Sequence, residues 1–285
     1  MPIIEIKNEK LSVGINTLGS ELMYIRSKNT DFLWNGDEKV WSYRSPVLFP
    51  ICGGLKEDTY LYNGEKYTLK KHGFARKSEF EGKLLNESKA EFVLKANEDT
   101  LKDYPFEFTL KIIFEVVDNT LKVTNIVENS ANDAMYFSIG SHEGYSCPEG
   151  IEEYDIVFDE KQTLDSFILD GNLLENNSIR IIEDSNILPL KYEYFAVDAL
   201  VFKDVKFKKA TLKHRNSSKK IVLQFDNAEY FLLWTKPDAN YICLEPWCGV
   251  QDIVSSSYEI ENKEGIIKLD GGQVFTDVHT IECFD

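Results

Sequence analysis

Positive charge is scarce in this chain. Across 285 residues, 32 Lys and Arg stand against 48 Asp and Glu, and only five of the cations are arginines (Arg26, Arg44, Arg76, Arg180, Arg215). The net charge of −16 repels phosphate backbones and anionic lipid surfaces, because binding to either depends on Lys and Arg displacing counterions. Nucleic acid and membrane are therefore not expected partners. Cysteine is sparse too: Cys52, Cys147, Cys243, Cys248 and Cys283 are odd in number, scattered, and form no CxxC pair. Such a set supports neither a disulfide framework nor a structural zinc site, and the five read as small buried hydrophobes. No apolar run approaches the ~20 residues that span a bilayer. The start, MPIIEIKNEK, lacks the basic segment and apolar run of a secretory signal, so a cytoplasmic location is expected. No linker-like stretch and no fixed repeat divides residues 1–285, which are read as a single domain. A compact body of this length buries roughly three quarters of its unfolded surface, enough for a core without staples.

What the sequence does have is a period of two. From Phe106 to Val116 every even position is apolar, while Glu107, Thr109, Lys111 and Glu115 fall between, which describes a strand with one buried face. The strand meets Asp118 and Asn119, which tolerate positive φ, and extended character resumes in LKVTNIVEN, predicting a hairpin over 106–129. By the same logic ATLKH and IVLQF flank the polar tip RNSSKK, and GIIKL is expected to pair with QVFTDVHTIECF across Asp270, Gly271 and Gly272. Short β-rich segments (IIEIKN, LSVGIN, EKYTLK, EFVLKA) precede them. Helical signals are few: GDEKVWSY near residue 36, DSFILDGNLLEN near 165 and PLKYEYF near 189 are each expected to make one to three turns. Strands at close spacing without βα alternation predict an all-β fold, a large antiparallel sandwich or barrel whose curvature gives a concave face for a ligand.

Two of the four histidines sit in unusual company. His72 lies in LKKHGFARKSEF, where Gly73 permits close backbone approach and Arg76 follows, and His142 lies in the glycine-rich FSIGSHEGYSCPEG. Taken singly, each reads better as a hydrogen-bonded structural histidine than as a functional one. His214 and His279 have no such context and are read as structural. In YICLEPWCGVQD, Glu245 stands between Leu244 and Pro246 with Trp247 and Tyr241 nearby; desolvation there raises a carboxyl toward the range a general base needs, while a salt-bridged strand-end carboxylate is the plainer reading.

HGFAR, the IGSHEGYSCP loop and the LEPWCG strand stand in the order, and at about the separations, of the aldose 1-epimerase (galactose mutarotase-like) superfamily, and RSPVLFPICGGL followed by HGFAR resembles its LacX-type branch. The resemblance covers nearly the whole chain. It implies a β-supersandwich with its site in the concave face, a small-molecule sugar as substrate, a monomer or homodimer, and no metal or organic cofactor. It further implies His142 as general acid, Glu245 as general base and His72 as the residue that holds the sugar ring oxygen. Arg44 and Asp198 match residues that contact sugar hydroxyls; Arg76 of HGFAR joins them as a binding residue, and Trp247, Phe74 and Trp34 offer flat faces to a sugar ring. The implied activity is interconversion of the anomers of a free hexose such as galactose or glucose. A hexose 6-phosphate mutarotase and a carbohydrate-binding sensor without turnover are the alternatives. The loop after His142 departs from the family pattern, and Glu143 is expected either to hydrogen-bond His142 and raise its pKa or to bring unwanted negative charge near the acid.

Overall fold

The even-numbered apolar residues from Phe108 to Val116 all enter the core of the computed structural model, which describes residues 2–285. Their strand, Phe108–Val117, pairs with Thr120–Asn129 in continuous antiparallel register around Asp118, which takes φ of 52°. Both belong to a nine-stranded antiparallel sheet. Its spatial order is Leu173–Pro189, Tyr154–Asp170, Lys209–His214, Lys220–Phe225, Val274–Phe284, Thr120–Asn129, Phe108–Val117, Lys89–Lys95, Glu81–Asn86. Packed on it is a five-stranded sheet built around Tyr241–Cys248, which pairs with Tyr230–Trp234 on one side and with Ile139–Gly140 and Glu143–Ser146 on the other, Leu200–Phe202 lying outermost. Between the sheets Phe225 stacks on Phe231 at 5.7 Å, and one apolar cluster draws residues from Ile6 to Cys283. Each fully buried side chain of this kind contributes about 1.5–3 kcal/mol relative to exposure. The architecture is the antiparallel β-supersandwich expected from the sequence. Among the described residues the one α-helix is Thr100–Asp103, and no helix is long and apolar enough to cross a membrane.

Two local expectations, the helix at DSFILDGNLLEN and the pairing of GIIKL, are corrected, while GDEKVWSY and PLKYEYF each make one turn, the low end of the range expected. DSFILDGNLLEN is not helical: it forms the tip of a hairpin of two 17-residue strands, turning at Gly171 and Asn172. GDEKVWSY makes a single turn in which Val40 and Trp41 both donate to the Asp37 carbonyl, and PLKYEYF yields only the short 3₁₀ turn Tyr192–Phe195. GIIKL does not pair with the C-terminal strand. Ile267–Leu269 pairs instead with Met135–Phe137, while Val274–Phe284 lies between Thr120–Asn129 and Lys220–Phe225, so the intervening turn passes the chain from one sheet to another.

The strand Tyr241–Cys248 is buried at all eight positions because both of its faces are covered. Ile242, Leu244 and Cys248 join the core between the sheets. Tyr241, Cys243, Glu245 and Trp247 alternate onto the opposite face, where their cross-strand neighbours include Trp234 beside Cys243, Leu232 beside Glu245 and Tyr230 beside Trp247. That second face carries the candidate site.

Candidate active site

Strand alternation also governs the loop that carries His142. Gly140, His142 and Gly144 share the outward parity, and the two glycines leave room for aromatic walls: a Cβ on Gly140 would lie 2.6 Å from Trp247 Cδ1, and one on Gly144 would lie 2.8 Å from the Trp41 ring. One imidazole therefore stands between two bare positions. Its ring centroid lies 5.2 Å from that of Trp41, 5.7 Å from Trp234 and 5.6 Å from His72. Trp247 is fixed in turn by donating its indole N–H to the Ser141 carbonyl at 3.1 Å.

His142 Nε2 faces Glu245 Oε2 at 3.4 Å, both residues being at least 90% buried. Burial holds the His142 imidazole down to about 3 and pushes the Glu245 carboxyl well above the ordinary carboxylate range, with Lys71 opposing and Asp198 and Glu143 reinforcing the latter shift. Both displacements have one physical meaning: a buried carboxyl and imidazole in contact favour holding a single proton between them, without net charge.

His72 takes a left-handed backbone, φ 68°, followed by Gly73 at 66°, where a Cβ would strike the Phe49 carbonyl at 2.3 Å. This turn lets His72 Nδ1 accept from the Gly53 N–H at 3.1 Å while the His72 N–H donates to the Gly53 carbonyl at 2.8 Å. Burial, then the neighbouring His142, Lys71 and Arg76, keep the ring neutral by lowering its pKa well below the ordinary value. With Nδ1 occupied as acceptor, the proton sits on Nε2, which is then a donor.

The cavity bounded by these groups measures about 260 Å³. That is close to the lower end of the roughly 300–1,000 Å³ typical of ligand pockets and suits one small ring. Asp198, Arg76, Trp247, Lys71 and Gln251 complete its polar and aromatic lining together with His72, His142 and Glu245. Asp198 approaches Lys71 Nζ at 4.0 Å, and Arg76 donates to the Lys71 carbonyl at 2.8 Å. Behind Gln251, the buried Lys263 and Asp252 pair at 3.2 Å, and Lys263 also donates to the Val250 carbonyl. The tip of the long hairpin reaches the cavity mouth through Leu169, Gly171 and Asn172, docked by Leu174 donating to the Asp252 carbonyl and accepting from Val254 N–H.

Four buried polar atoms of the lining, Arg76 Nε, His142 Nδ1, Glu245 Oε2 and Gln251 Oε1, have no hydrogen-bond partner in the protein. Buried polar groups are nearly always paired, so these four atoms around one cavity call for ordered water or a polar ligand. His142, Cys243 and Glu245 also bring one potential metal-ligating atom each within 4.8 Å of one another, but burial holds the proton on the Cys243 thiol that metal binding would have to remove.

Of the residues singled out from the sequence, His72, His142, Glu245, Trp247, Asp198 and Arg76 line this one cavity. Arg44 does not: its guanidinium packs against Gly36 and Met23, and its contribution is a carbonyl that accepts from Gly144 N–H at 2.8 Å. Trp34 and Phe74 are packing residues, Trp34 against Tyr241 at 4.7 Å and Phe74 among Phe49, Tyr104 and Phe108. Glu143 does not reach His142. The strand parity that sends His142 outward sends Glu143 into the sandwich, where its Oε1 meets His279 Nε2 at 3.2 Å. Sequence reasoning missed Trp41, Lys71, Trp234 and Gln251. Only Lys71, adjacent to His72 in KKHGF, carried a positional signal.

Residues 2–276 match the family model described as aldose 1-epimerase. The plasmid-encoded protein LacX of Lactococcus lactis subsp. lactis is 31% identical over 281 residues, covering 93% of this chain and 94% of its own. The crystal structure of a galactose mutarotase related enzyme from Lactobacillus acidophilus superposes with a TM-score of 0.95 at 29% identity, covering 100% of this chain and 98% of that one. A galactose mutarotase-like protein from Lactobacillus casei ATCC 334 gives a TM-score of 0.94 at 26% identity, with 99% and 100% covered.

Proposed function

The chain belongs to the aldose 1-epimerase family, and we propose that it works as one domain that interconverts the α and β anomers of a free hexose such as galactose or glucose. The observation that carries the proposal is the facing of His142 and Glu245 at 3.4 Å inside a ring-sized cavity edged with unpaired polar atoms. Anomer exchange requires a proton to leave the C1 hydroxyl and another to reach the ring oxygen. The C1–O5 bond then breaks, giving an aldehyde that rotates about C1–C2 and recloses on its other face.

Glu245 takes the hydroxyl proton as base and His142 delivers its Nε2 proton to the ring oxygen as acid. A neutral His72, donating through Nε2, holds that oxygen in place, and Asp198, Arg76 and the Trp247 ring bind the remaining hydroxyls and the C–H face. Ring opening starts from the minor arrangement of the pair, carboxylate and imidazolium, and ends in its resting arrangement, carboxylic acid and neutral imidazole, so one proton is conserved throughout. Burial favours the second arrangement, which stabilises the open-chain state relative to an ordinary aqueous acid and base. Reclosure runs the two transfers backwards. Each positioned group is worth about 10² to 10⁴ in rate, and every proton has a donor and an acceptor among the side chains, so the scheme invokes no cofactor.

Polarimetry or proton NMR of freshly dissolved α-galactose and α-glucose tests the proposal. Acceleration over buffer is expected for at least one of them, and its absence across a panel of free aldoses overturns the reading. Lys71 and Arg76 at the cavity favour a sugar 6-phosphate as the second reading. Competition between free and phosphorylated sugar separates the two. Saturable binding without anomer exchange would identify a sensor.

A further inference from the structure

A second group of unpaired polar atoms lies on the far side of the His142 loop. Ser20 Oγ, Ser141 Oγ, Glu143 Oε2 and His279 Nε2 are all buried without a straight hydrogen bond, and their residues line one small space of about 20 Å³, walled by Ile112, Phe114 and Val123. A space of that size and polarity suits a single water. Glu143 is 2% exposed and His279 likewise 2%, and the pair spans the sandwich: Glu143 belongs to the strand edge that carries His142, His279 to the Val274–Phe284 strand at the middle of the nine-stranded sheet.

We propose that Glu143 and His279 are positioning residues for His142. The tripeptide Ser141–Glu143 is held on its outer side by Trp247, whose indole donates to the Ser141 carbonyl, and past its end by Gly144, whose N–H donates to Arg44. Those bonds fix the backbone on either side of Glu143. Strand pairing holds Gly140 opposite Trp247 and Glu143 opposite Leu244, and Ser141 N–H donates to the Pro246 carbonyl. His142 stands in the short gap between the two paired segments, and the Glu143 side chain adds a tie from the near edge of that gap to the back sheet; without it the gap can tilt enough to shift Nε2 relative to Glu245. A displacement of about 1 Å at a reacting atom typically costs on the order of 100-fold in rate. A buried ion pair between apolar walls is a poor source of net stability, so its presence here is better explained by the geometry it imposes. The inference rests on the proton-transfer reading of His142 above.

Three variants test it: Glu143→Gln, Glu143→Leu, and the double variant Glu143→Leu with His279→Leu. Gln keeps an acceptor for His279 and is expected to retain kcat within about threefold, whereas Leu is expected to lose about 10- to 100-fold in kcat with KM within about twofold. The double variant replaces the pair by apolar side chains; it is expected to fold and melt close to wild type yet keep the kcat loss, which separates positioning from stability. Recovery of kcat in the double variant, or unchanged kcat in a folded Glu143→Leu protein, overturns the proposal. If wild type shows no anomer exchange, the functional reading fails and the anchor is judged by NMR of the four histidine rings. The His142 ring resonances are expected to move in the Leu variants and stay in the Gln variant; unmoved resonances overturn it.

Discussion

Glu245→Gln should remove activity and stabilise the protein at the same time, with the stabilisation depending on pH. The substitution keeps shape and volume at a position that is 1% exposed but abolishes proton acceptance, so a rate loss of about 10² to 10⁴ is expected. Burial raises the folded carboxyl's affinity for its proton above that of the unfolded chain, whose reference value is 4.5. Above that reference the unfolded chain gives up the proton while the folded chain keeps it, so wild-type stability falls as pH rises, by about 1.4 kcal/mol per unit until the folded group itself ionises. Between 4.5 and neutrality the loss is bounded at about 3 kcal/mol. Glutamine carries no such dependence. The melting temperature of the variant should therefore equal that of wild type near pH 4.5 and exceed it progressively toward pH 7, at about 2–4 °C per kcal/mol for a chain of this size. Paired thermal scans from acid to neutral pH, beside polarimetric rates, read both effects. A variant within about threefold of wild-type rate, or a melting difference that does not grow with pH, would refute the assignment of Glu245 as a desolvated base.

The pH–rate profile should lack an acid limb near the ordinary histidine value of 6.5, because burial lowers His142 to about 3 and the pair takes up a second proton only far below neutrality. Rates measured from about pH 5 to 8 should be nearly flat, and a half-maximal fall at 6.5 would contradict the shared-proton pair. Gly140→Ala places a Cβ 2.6 Å from Trp247 Cδ1 and 3.0 Å from Cys52 Sγ; the overpacking should cost about 1–3 kcal/mol in denaturant unfolding and raise KM as Trp247 tilts. Lys263→Met strands Asp252 in the core and should cost about 3–5 kcal/mol by the same measurement, with a loss under 1 kcal/mol counting against the pair as an anchor for the Gln251 loop.

The sheets were legible wherever one face meets the core and the other meets water, as in Phe108–Val117, where buried and half-exposed positions alternate without a break. Legibility fails where the rule loses its contrast. In DSFILDGNLLEN the adjacent pairs Ile168–Leu169 and Leu173–Leu174 blur the period, and a long hairpin is settled by pairing across the turn, which local pattern does not report. The site shows the same divide. His72, His142 and Glu245 stood out because polar side chains sat among glycines and apolar neighbours. Trp41 and Trp234 did not, since a ring that walls a cavity and a ring that fills a core have the same hydropathy, and Trp34 and Phe74 were misjudged for that reason. Glu143 is adjacent to His142 in sequence yet meets His279, because strand parity turns neighbours to opposite faces.

The tip at Gly171 and Asn172 is docked on the cavity rim through Leu174 and through Asn172 against Gly54, and nothing lies within 4 Å of where a Gly171 side chain would begin. Glu245 and the His142 loop belong to the five-stranded sheet, while this portion of the rim comes from a strand pair of the opposite sheet. On the proposed function, selectivity and turnover are therefore separable in this scaffold. Libraries confined to the tip should reprogram which hydroxyl pattern is admitted while the acid and base remain untouched, and grafting tips from related proteins is the direct route to altered sugar preference.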